Sequence, residues 1–387
     1  MKKYIALFLA IAMVATLFAG CGNNAETKPN AGNDSAAIKI GMSGPLTGGA
    51  AVYGTAVQAA MEIAVEEINA LGGLQLELNC QDDEHDAEKA INAYNNLKDW
   101  GVQIFAGTVT SGPALAVAPE TNADRVFMLT PSASADAILE GGDNVFQICF
   151  KDTNQGTASA DYFAAKFAGK AIGVIYDSSD AYSAGIYATF AARAEEIGLN
   201  VVCVEAFTAD NKSDLSTQVT KCQETGAEVV FLPFYAVEAA QVLTYANKIG
   251  YAPTFFGCDG MDGILTTDGF DPALAEGVML LTPFSADADD EATKSFVAKF
   301  QEKTGIVPNQ FAADAYDVIY SLYAALTATG CTADMSSADI CAKLIEWYTT
   351  NSFDGLTGAG MTWDATGAVS KTPMAVVIEN GVYVGVE

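Results

Sequence analysis

The sequence predicts an α/β protein made of two similar lobes, each built on a parallel sheet with helical crossovers. From residue 38 onward, short apolar runs alternate with longer amphipathic stretches, which is the pattern of strands followed by helices. The alternation runs once to about residue 150 and begins again near residue 171, which indicates two units of similar design. The 387 residues are enough for two domains of ordinary size.

The predicted strands are short, mainly apolar runs that recur along the chain. They cover residues 38–42, 74–79, 102–106, 126–130, 171–176, 200–206, 228–232, 253–257 and 277–281. The end of the chain, residues 374–386, predicts a hairpin, because Asn380–Gly381 is a favoured two-residue turn.

Helices are predicted between these strands and after the last parallel one. They cover residues 55–71, 86–99, 113–122, 156–168, 183–197, 213–225, 236–249, 290–304, 311–328 and 336–348. The clearest is 55–71, where apolar residues recur at helical spacing and Gly72–Gly73 ends the pattern.

The N-terminus has the pattern of a secretory signal peptide over residues 1–20. Lys2 and Lys3 precede an apolar stretch that is too short for a membrane helix. The segment LFAGC resembles a bacterial lipoprotein cleavage box, which makes Cys21 the lipidated first residue of the mature chain. Ordinary secretion with cleavage nearby is the alternative. Residues 21–37 then form a small, polar tether.

The acidic composition excludes several classes of partner. The formal net charge is −29 at pH 7. Nucleic acids and anionic lipid surfaces both require basic protein surface, so neither is expected to bind. The acidity favours solubility and does not identify a ligand.

The cysteines give no support for zinc or thioredoxin-type chemistry. There are eight, and none is in a CxxC pair. If Cys21 is lipidated, an odd number remains, so at least one thiol is unpaired in a monomer. Cys331 and Cys341 are candidates for a disulfide, with buried free thiols as the alternative.

Hydroxyl groups follow two of the predicted strands, where ligands bind in open parallel sheets. Ser111 is predicted to cap a helix that has Pro113 just inside it, and free N–H groups at such an end attract a carboxylate. Ser132 and Ser134 stand two residues apart in an extended segment, so both hydroxyls face one side. These serines predict a carboxylate site, with purely structural caps and turns as the alternative.

Aromatic residues occupy further post-strand loops and one helix start. Tyr53, Tyr182 and Tyr235 come from three such loops, and Phe311 opens a helix. Because the loops belong to both predicted lobes, we expect these rings to line a cleft between the lobes. Packing of each ring within its own lobe is the alternative.

One acid, Asp259, follows the strand 253–257 and is flanked by Gly260. An ammonium group entering a closed cleft needs such a partner, because an unpaired buried charge is very costly. Asp180 is the nearest competitor, but its loop fits a helix N-cap.

Catalytic, metal and nucleotide sites find little support. His85 is the only histidine, and it lies in the acidic segment QDDEHDAEKA, where Asp86 fits a helix N-cap. No GxSxG, GxGxxG or GxxxxGK[ST] motif is present. We therefore expect no enzyme, no metal and no cofactor. A serine-dependent hydrolase and a sensing module for a small amide or carboxylate remain the alternatives to a binding protein.

Several segments resemble the type I periplasmic binding proteins and, within them, the branched-chain amino-acid-binding branch of ABC importers. In chain order they are IGMSGPLTGGAAVYG, EEINALGGL, QDDEHDAEKA, AGTVTSG, MLTPSASA and GLTGAGMTWDATG. The resemblance covers about residues 38–387. It implies two Rossmann-like lobes joined by three crossover strands, with the ligand in the cleft and without catalysis.

The resemblance also implies how the chain is divided into lobes and which partners it binds. The N-terminal lobe is expected to comprise residues 38–151 and 283–370, and the C-terminal lobe residues 152–282 and 371–387. The implied partners are an amino acid, which the lobes enclose, and an ABC permease, to which the protein delivers it. The protein is expected to be a monomer outside the cytoplasmic membrane, held there by its lipid anchor.

The family's ligand contacts carry over to positions already singled out. Ser111, Ser132 and Ser134 match the positions that hold the α-carboxylate of the ligand. Asp259 matches an acid, often glutamate, that pairs with the α-ammonium, and Tyr235 matches a tyrosine at the same group.

Tyr53, Tyr182 and Phe311 match the pocket for the ligand's side chain. A disulfide near the cleft of some members is absent, because His85 and Thr110 stand at its two positions.

Overall fold

Two separate sheets organise residues 36–386, which are the residues that the computed structural model describes. The predicted signal peptide, Cys21 and the tether up to residue 35 lie outside this range. None of the helices between residues 36 and 386 is both long and apolar enough to span a membrane.

The first sheet has five parallel strands in the order β2-β1-β3-β4-β5. They are β1 Ile38–Gly44, β2 Leu76–Asp82, β3 Ile104–Phe105, β4 Phe127–Thr130 and β5 Val145–Gln147. The crossover helices are α1 Ala51–Ala70, α2 Ala87–Trp100 and α3 Ser111–Asp124. Asp86 caps α2 through its side chain, as predicted.

The second sheet begins with five parallel strands in the same alternating pattern. They are β6 Ile172–Asp177, β7 Val201–Phe207, β8 Val229–Leu232, β9 Thr254–Gly257 and β10 Met279–Thr282. The helices are α4 Asp152–Lys166, α5 Ala181–Ile197, α6 Ser216–Glu224 and α7 Ala236–Lys248. The side chain of Asp180 caps α5, as predicted.

The remaining elements complete both lobes. Helices α8 Glu291–Thr304, α9 Gln310–Thr329 and α10 Ser337–Thr350 follow the second sheet, yet α9 packs on α1 and α10 on β4. Strands β11 Ser352–Gly355 and β12 Gly358–Thr362 form a separate hairpin. Strands β13 Met374–Glu379 and β14 Val382–Gly385 extend the second sheet to the order β14-β13-β10-β9-β8-β6-β7.

The chain therefore passes between the two sheets three times, after β5, after β10 and after β12. This confirms the predicted α/β fold of two lobes, and the hairpin at Asn380–Gly381 is confirmed as well. The first lobe below means the five-stranded sheet with α1–α3 and α8–α10, and the second lobe means the seven-stranded sheet with α4–α7. The residue at which one lobe gives way to the other stays a prediction.

Three strands were not predicted, and their sequences show why. Strand β5 has only three residues, and β11 and β12 are short and contain glycines instead of alternating apolar residues. Strand β3 spans only two residues, although the apolar run that predicts it is longer.

A buried ion pair fixes the third passage to the first lobe. Lys371 Nζ lies 2.6 Å from Asp314 Oδ1 in α9 and also donates to Thr357 Oγ1 at 2.6 Å. Both charged side chains are only 2% exposed. Burial raises the pKa of Asp314 to about 6, against the opposing effect of Lys371. The two groups depend on one another, because either charge alone would be buried without compensation.

We predict that Lys371→Met lowers the free energy of unfolding by about 3–5 kcal/mol, because it leaves the buried Asp314 without its cation. Urea unfolding at neutral pH measures the change. Lys170→Met is the matched control, since Lys170 and Glu228 form an exposed pair whose loss costs less than about 1 kcal/mol. Equal losses of stability in the two variants would show that the buried pair of Lys371 and Asp314 matters no more than an exposed one.

Candidate functional site

The carboxyl ends of the strands of both sheets meet at a pocket between the lobes. Its walls come from post-strand loops and helix starts on either side. They are Tyr53, Val109, Thr110, Ser111, Ser132, Tyr182, Tyr235, Asp259, Gly260 and Phe311. The structure thus brings together every residue predicted for the site except Ser134.

The start of α3 forms the end of the pocket that belongs to the first lobe. Helix α3 begins at Ser111 with Thr110 as its N-cap residue, so the prediction that Ser111 itself is the cap is wrong by one position. The Ser111 hydroxyl does not cap the helix because it is used elsewhere. Ser111 Oγ accepts hydrogen bonds from the N–H groups of Ser134 and Ala135, both at 3.2 Å. It braces the neighbouring loop, while the first N–H groups of α3 have no partner within the helix.

The other two serines differ in their distance from the pocket surface: one lines the pocket and the other is buried behind its wall. Ser132 lines the pocket, and its hydroxyl donates to the carbonyl of Val109 at 2.6 Å. Ser134 lies behind the wall, only 1% exposed, and its carbonyl accepts from the N–H of Asp152. The alternation of the extended segment is therefore not enough to bring both hydroxyls into the pocket.

Four aromatic rings form a continuous cluster in the pocket. The ring of Tyr53 lies 5.0 Å from Phe311, edge to face, and 5.3 Å from Tyr235 between centroids. Tyr182 stacks on Tyr235 at 5.1 Å. Since Tyr53 and Phe311 belong to the first lobe and the other two to the second, the cluster spans the interface between the lobes.

The hydroxyl of Tyr53 joins the two lobes directly. It donates to the carbonyl of Gly260 at 2.6 Å and accepts from the N–H of Ala236 at 2.8 Å. Both partners follow the carboxyl ends of second-lobe strands, since Gly260 comes after β9 and Ala236 is the first residue of α7, after β8. The structure is therefore a closed arrangement of the lobes, in which the side chains of one reach backbone groups of the other.

Asp259 is the acid at the second-lobe end of the pocket and is 3% exposed. Its Oδ1 accepts from the Tyr182 hydroxyl at 2.6 Å and from the N–H of Gly260 at 2.7 Å. Burial raises the pKa of Asp259 to about 6, against the opposing effect of the Tyr182 hydrogen bond. A cation beside this carboxyl would stabilise its charged form.

Gln155 supports Asp259 from behind and was not singled out in the sequence. Its Oε1 accepts from the N–H of Asp259 at 3.1 Å, which ties α4 to the loop after β9. Nothing local marks Gln155, because its role depends on the packing of two elements far apart in sequence.

His85 belongs to a small polar group beside the pocket. Its Nδ1 lies 2.9 Å from Thr110 Oγ1, so a hydrogen bond joins the segment before α2 to the N-cap residue of α3. Its ring meets the edge of Tyr235 at 5.4 Å, and Nε2 lies 4.0 Å from Asp180 of the second lobe. Burial lowers the pKa of His85, against the opposing effect of Asp180. Within residues 36–386, no three His, Cys, Asp or Glu groups are arranged to hold a metal ion.

Comparison with known proteins identifies the same fold and family. The sequence model described as "Periplasmic binding protein" matches residues 37–381. The chain is 30% identical over 289 residues to the leucine-, isoleucine-, valine-, threonine-, and alanine-binding protein of Pseudomonas aeruginosa, covering 73% of this chain and 76% of that protein. It is 33% identical over 228 residues to Leu/Ile/Val-binding protein homolog 3 of Brucella melitensis, and this match covers 58% of the chain and 61% of the relative, less than two thirds of its length.

The solved structures agree with the sequence relatives. The substrate-binding protein LivJ of a branched-chain amino-acid transporter from Streptococcus pneumoniae, in complex with isoleucine, is 27% identical. The match has a TM-score of 0.80 and covers 90% of this chain and 97% of that one. From the family match, the relatives and the two-lobed fold, we conclude that the chain belongs to the type I periplasmic binding proteins, in the branch that contains the Leu/Ile/Val-binding proteins.

Proposed function

We propose that this protein is the extracytoplasmic substrate-binding component of an ABC importer and that it encloses a small aliphatic amino acid between its lobes. The observation that carries the proposal is the arrangement of opposite electrostatic ends around one aromatic pocket. The N-terminus of α3 at Ser111 lies on one lobe, and the carboxylate of Asp259 lies on the other. An α-amino acid has the complementary pair of charges.

The first-lobe end suits the α-carboxylate. Free N–H groups and the positive end of the helix dipole attract an anion there, and Ser132 adds a hydroxyl in the wall. No basic side chain lines the pocket within the described residues, which favours a single carboxylate over a phosphate. Ser134 acts by holding the loop through its N–H bond to Ser111.

The second-lobe end suits the α-ammonium. Asp259 supplies the negative charge, and the Tyr182 hydroxyl and Gln155 hold its loop in place. Tyr235 lies between this end and Tyr53, so its ring also contacts a ligand that extends from one end of the pocket to the other.

The aromatic cluster suits an uncharged, apolar side chain. Tyr53, Phe311 and Tyr182 offer ring surfaces, and their hydroxyl groups, where present, already have protein partners. The relatives support this ligand class, since the Pseudomonas protein is named for leucine, isoleucine, valine, threonine and alanine.

Delivery to a permease and anchoring through a lipid on Cys21 complete the proposal. The family supports an extracytoplasmic location and the absence of catalysis. A substrate-binding protein held near its transporter meets the permease more often than a free one, because a tether raises the effective concentration. The polar segment that follows Cys21 has the composition of such a tether.

A thermal-shift screen of the twenty amino acids, small amides and carboxylates tests the ligand class. A ligand that binds only the folded state raises the melting temperature. We expect aliphatic amino acids to stabilise the protein. The matching carboxylic acids without the amino group, and the matching amino-acid amides, should not stabilise it at equal concentration. Stabilisation by carboxylates without an amine, and by no amino acid, would contradict the proposal.

We predict that Asp259→Asn weakens binding of the best amino acid by at least a hundredfold, or about 2.7 kcal/mol. The asparagine keeps the acceptor oxygen for Tyr182 and Gly260 but leaves the ligand's ammonium buried without a counter-charge. Isothermal titration calorimetry measures the change. Asp180→Asn is the control, because Asp180 caps α5 and asparagine preserves that cap. Near-equal affinities of Asp259→Asn and wild type would place the ammonium elsewhere.

We predict that ligand binding contracts the protein, because the two ends of the site belong to different lobes and meet only on closure. Small-angle X-ray scattering should give a smaller radius of gyration at saturating ligand than without it. Tyr53→Phe should diminish the contraction at equal saturation, since it removes both hydrogen bonds that join the lobes. An unchanged radius for the wild type at saturation would rule out closure.

A further inference from the structure

Two cysteines of the second lobe have their sulfur atoms in contact. Cys203 lies in β7 and Cys222 in α6, and their Sγ atoms are 3.3 Å apart. Cys203 is 7% exposed, and Cys222 is fully buried. Neither lines the pocket between the lobes, and both are free thiols in this structure.

Two further contacts hold together the two elements that carry these cysteines. Lys221, next to Cys222, pairs with Glu205 in β7 at 2.8 Å. Gln218, one helical turn earlier, donates its amide to the carbonyl of Ala206 at 3.1 Å. These contacts hold the helix against the strand next to the sulfur pair.

Three of the five remaining described cysteines contact other polar groups. Cys331 contacts the hydroxyl of Thr329 at 3.3 Å, Cys258 contacts that of Ser159 at 3.9 Å, and Cys149 contacts the carbonyl of Ala133 at 3.5 Å. Cys341 is free and buried in α10. Cys331 and Cys341, considered as a disulfide pair, are both free thiols in this structure, and the sulfur of Cys331 contacts a hydroxyl.

We propose that Cys203 and Cys222 form a disulfide bond in the secreted protein and that this bond fastens α6 to the edge strand β7. A disulfide has an S–S length of about 2.05 Å, so the sulfurs have to approach by roughly 1.2 Å from their contact of 3.3 Å. Disulfides form and persist outside the cytoplasm, and the family of this chain acts there.

The reaction needs an oxidant, and the proposal assigns a protein or small-molecule disulfide to that role. The Cys203 thiolate attacks one sulfur of the oxidant, which releases one thiolate and leaves a mixed disulfide. The Cys222 thiolate then attacks the Cys203 sulfur, forms the new S–S bond and displaces the second thiolate. The two cysteine protons end on the two released thiols, so one disulfide is reduced as the other is made.

Burial determines when this exchange takes place. Desolvation raises the pKa of Cys222, so little of its reactive thiolate is present once the lobe has folded. An oxidant also has no access to a fully buried sulfur. The bond therefore forms while the lobe folds, before α6 closes over β7, and the folded reduced protein is oxidised slowly.

The bond would stabilise a vulnerable part of the second lobe. Strand β7 is the last strand of its sheet and pairs with β6 alone. The connection from β7 to α6 is exposed over residues 209–214. Closing this segment into a loop lowers the entropy of the unfolded chain, so the folded state gains stability.

Refolding of the full chain in a glutathione redox buffer, followed by denaturation with an alkylating agent and peptide mapping, tests the proposal. We expect a linked peptide pair containing residues 203 and 222, and alkylation of the other five described cysteines. The melting temperature of the oxidised protein should exceed that of the reduced protein by several degrees.

Two variants sharpen the result. In Cys203→Ala/Cys222→Ala the melting temperature should not respond to reductant, while in Cys331→Ala/Cys341→Ala the response should persist as in the wild type. Alkylation of both Cys203 and Cys222 in wild-type protein after oxidative refolding would overturn the proposal, as would a linked pair made of other cysteines. Since the readout is a covalent link between residues that do not line the pocket, its failure would not bear on amino-acid binding.

Discussion

The hydrogen bonds of the Tyr53 hydroxyl constrain how the two lobes are arranged, because this hydroxyl has to reach two backbone groups on the opposite lobe. It bonds both the carbonyl of Gly260 and the N–H of Ala236. These groups follow β9 and β8, so the parallel strands of the second sheet have to end together at the cleft. The two crossover sheets, with their carboxyl ends facing one another, meet this requirement. The aromatic cluster follows from it, since the ring of Tyr53 enters between Phe311 and Tyr235.

Buried charge is handled in two different ways in this structure. Asp314 has a permanent partner in Lys371, and the pair holds a crossover segment in place. Asp259 has neutral donors instead, namely the Tyr182 hydroxyl and the N–H of Gly260. These donors hold the carboxyl without neutralising it. The first arrangement favours a fixed structure, and the second provides the negative end that the proposed amino-acid site requires.

The positions of the pocket residues follow from sequence rules, whereas their detailed roles do not. Ligands bind beyond the carboxyl ends of parallel strands, so the loops carrying Tyr182 and Asp259 are identifiable from their place after predicted strands. The family resemblance gives the same residues independently. What fails is the inference from spacing alone: Ser134 alternates with Ser132 but is buried behind it, because its N–H bonds Ser111. Gln155 and the contact of Cys203 with Cys222 depend on packing between distant elements, which no local pattern encodes.

The three passages between the sheets also determine the order in which the molecule can assemble. The first lobe needs α9 and α10, which follow the five parallel strands of the second sheet, and that sheet in turn needs β13 and β14 from after α10. Neither lobe can be completed from the first two thirds of the sequence. Many of its contacts join residues far apart in the chain, and such topologies fold slowly. A chain whose two lobes both need strands or helices from its last third cannot complete either lobe until nearly all of it has been synthesised.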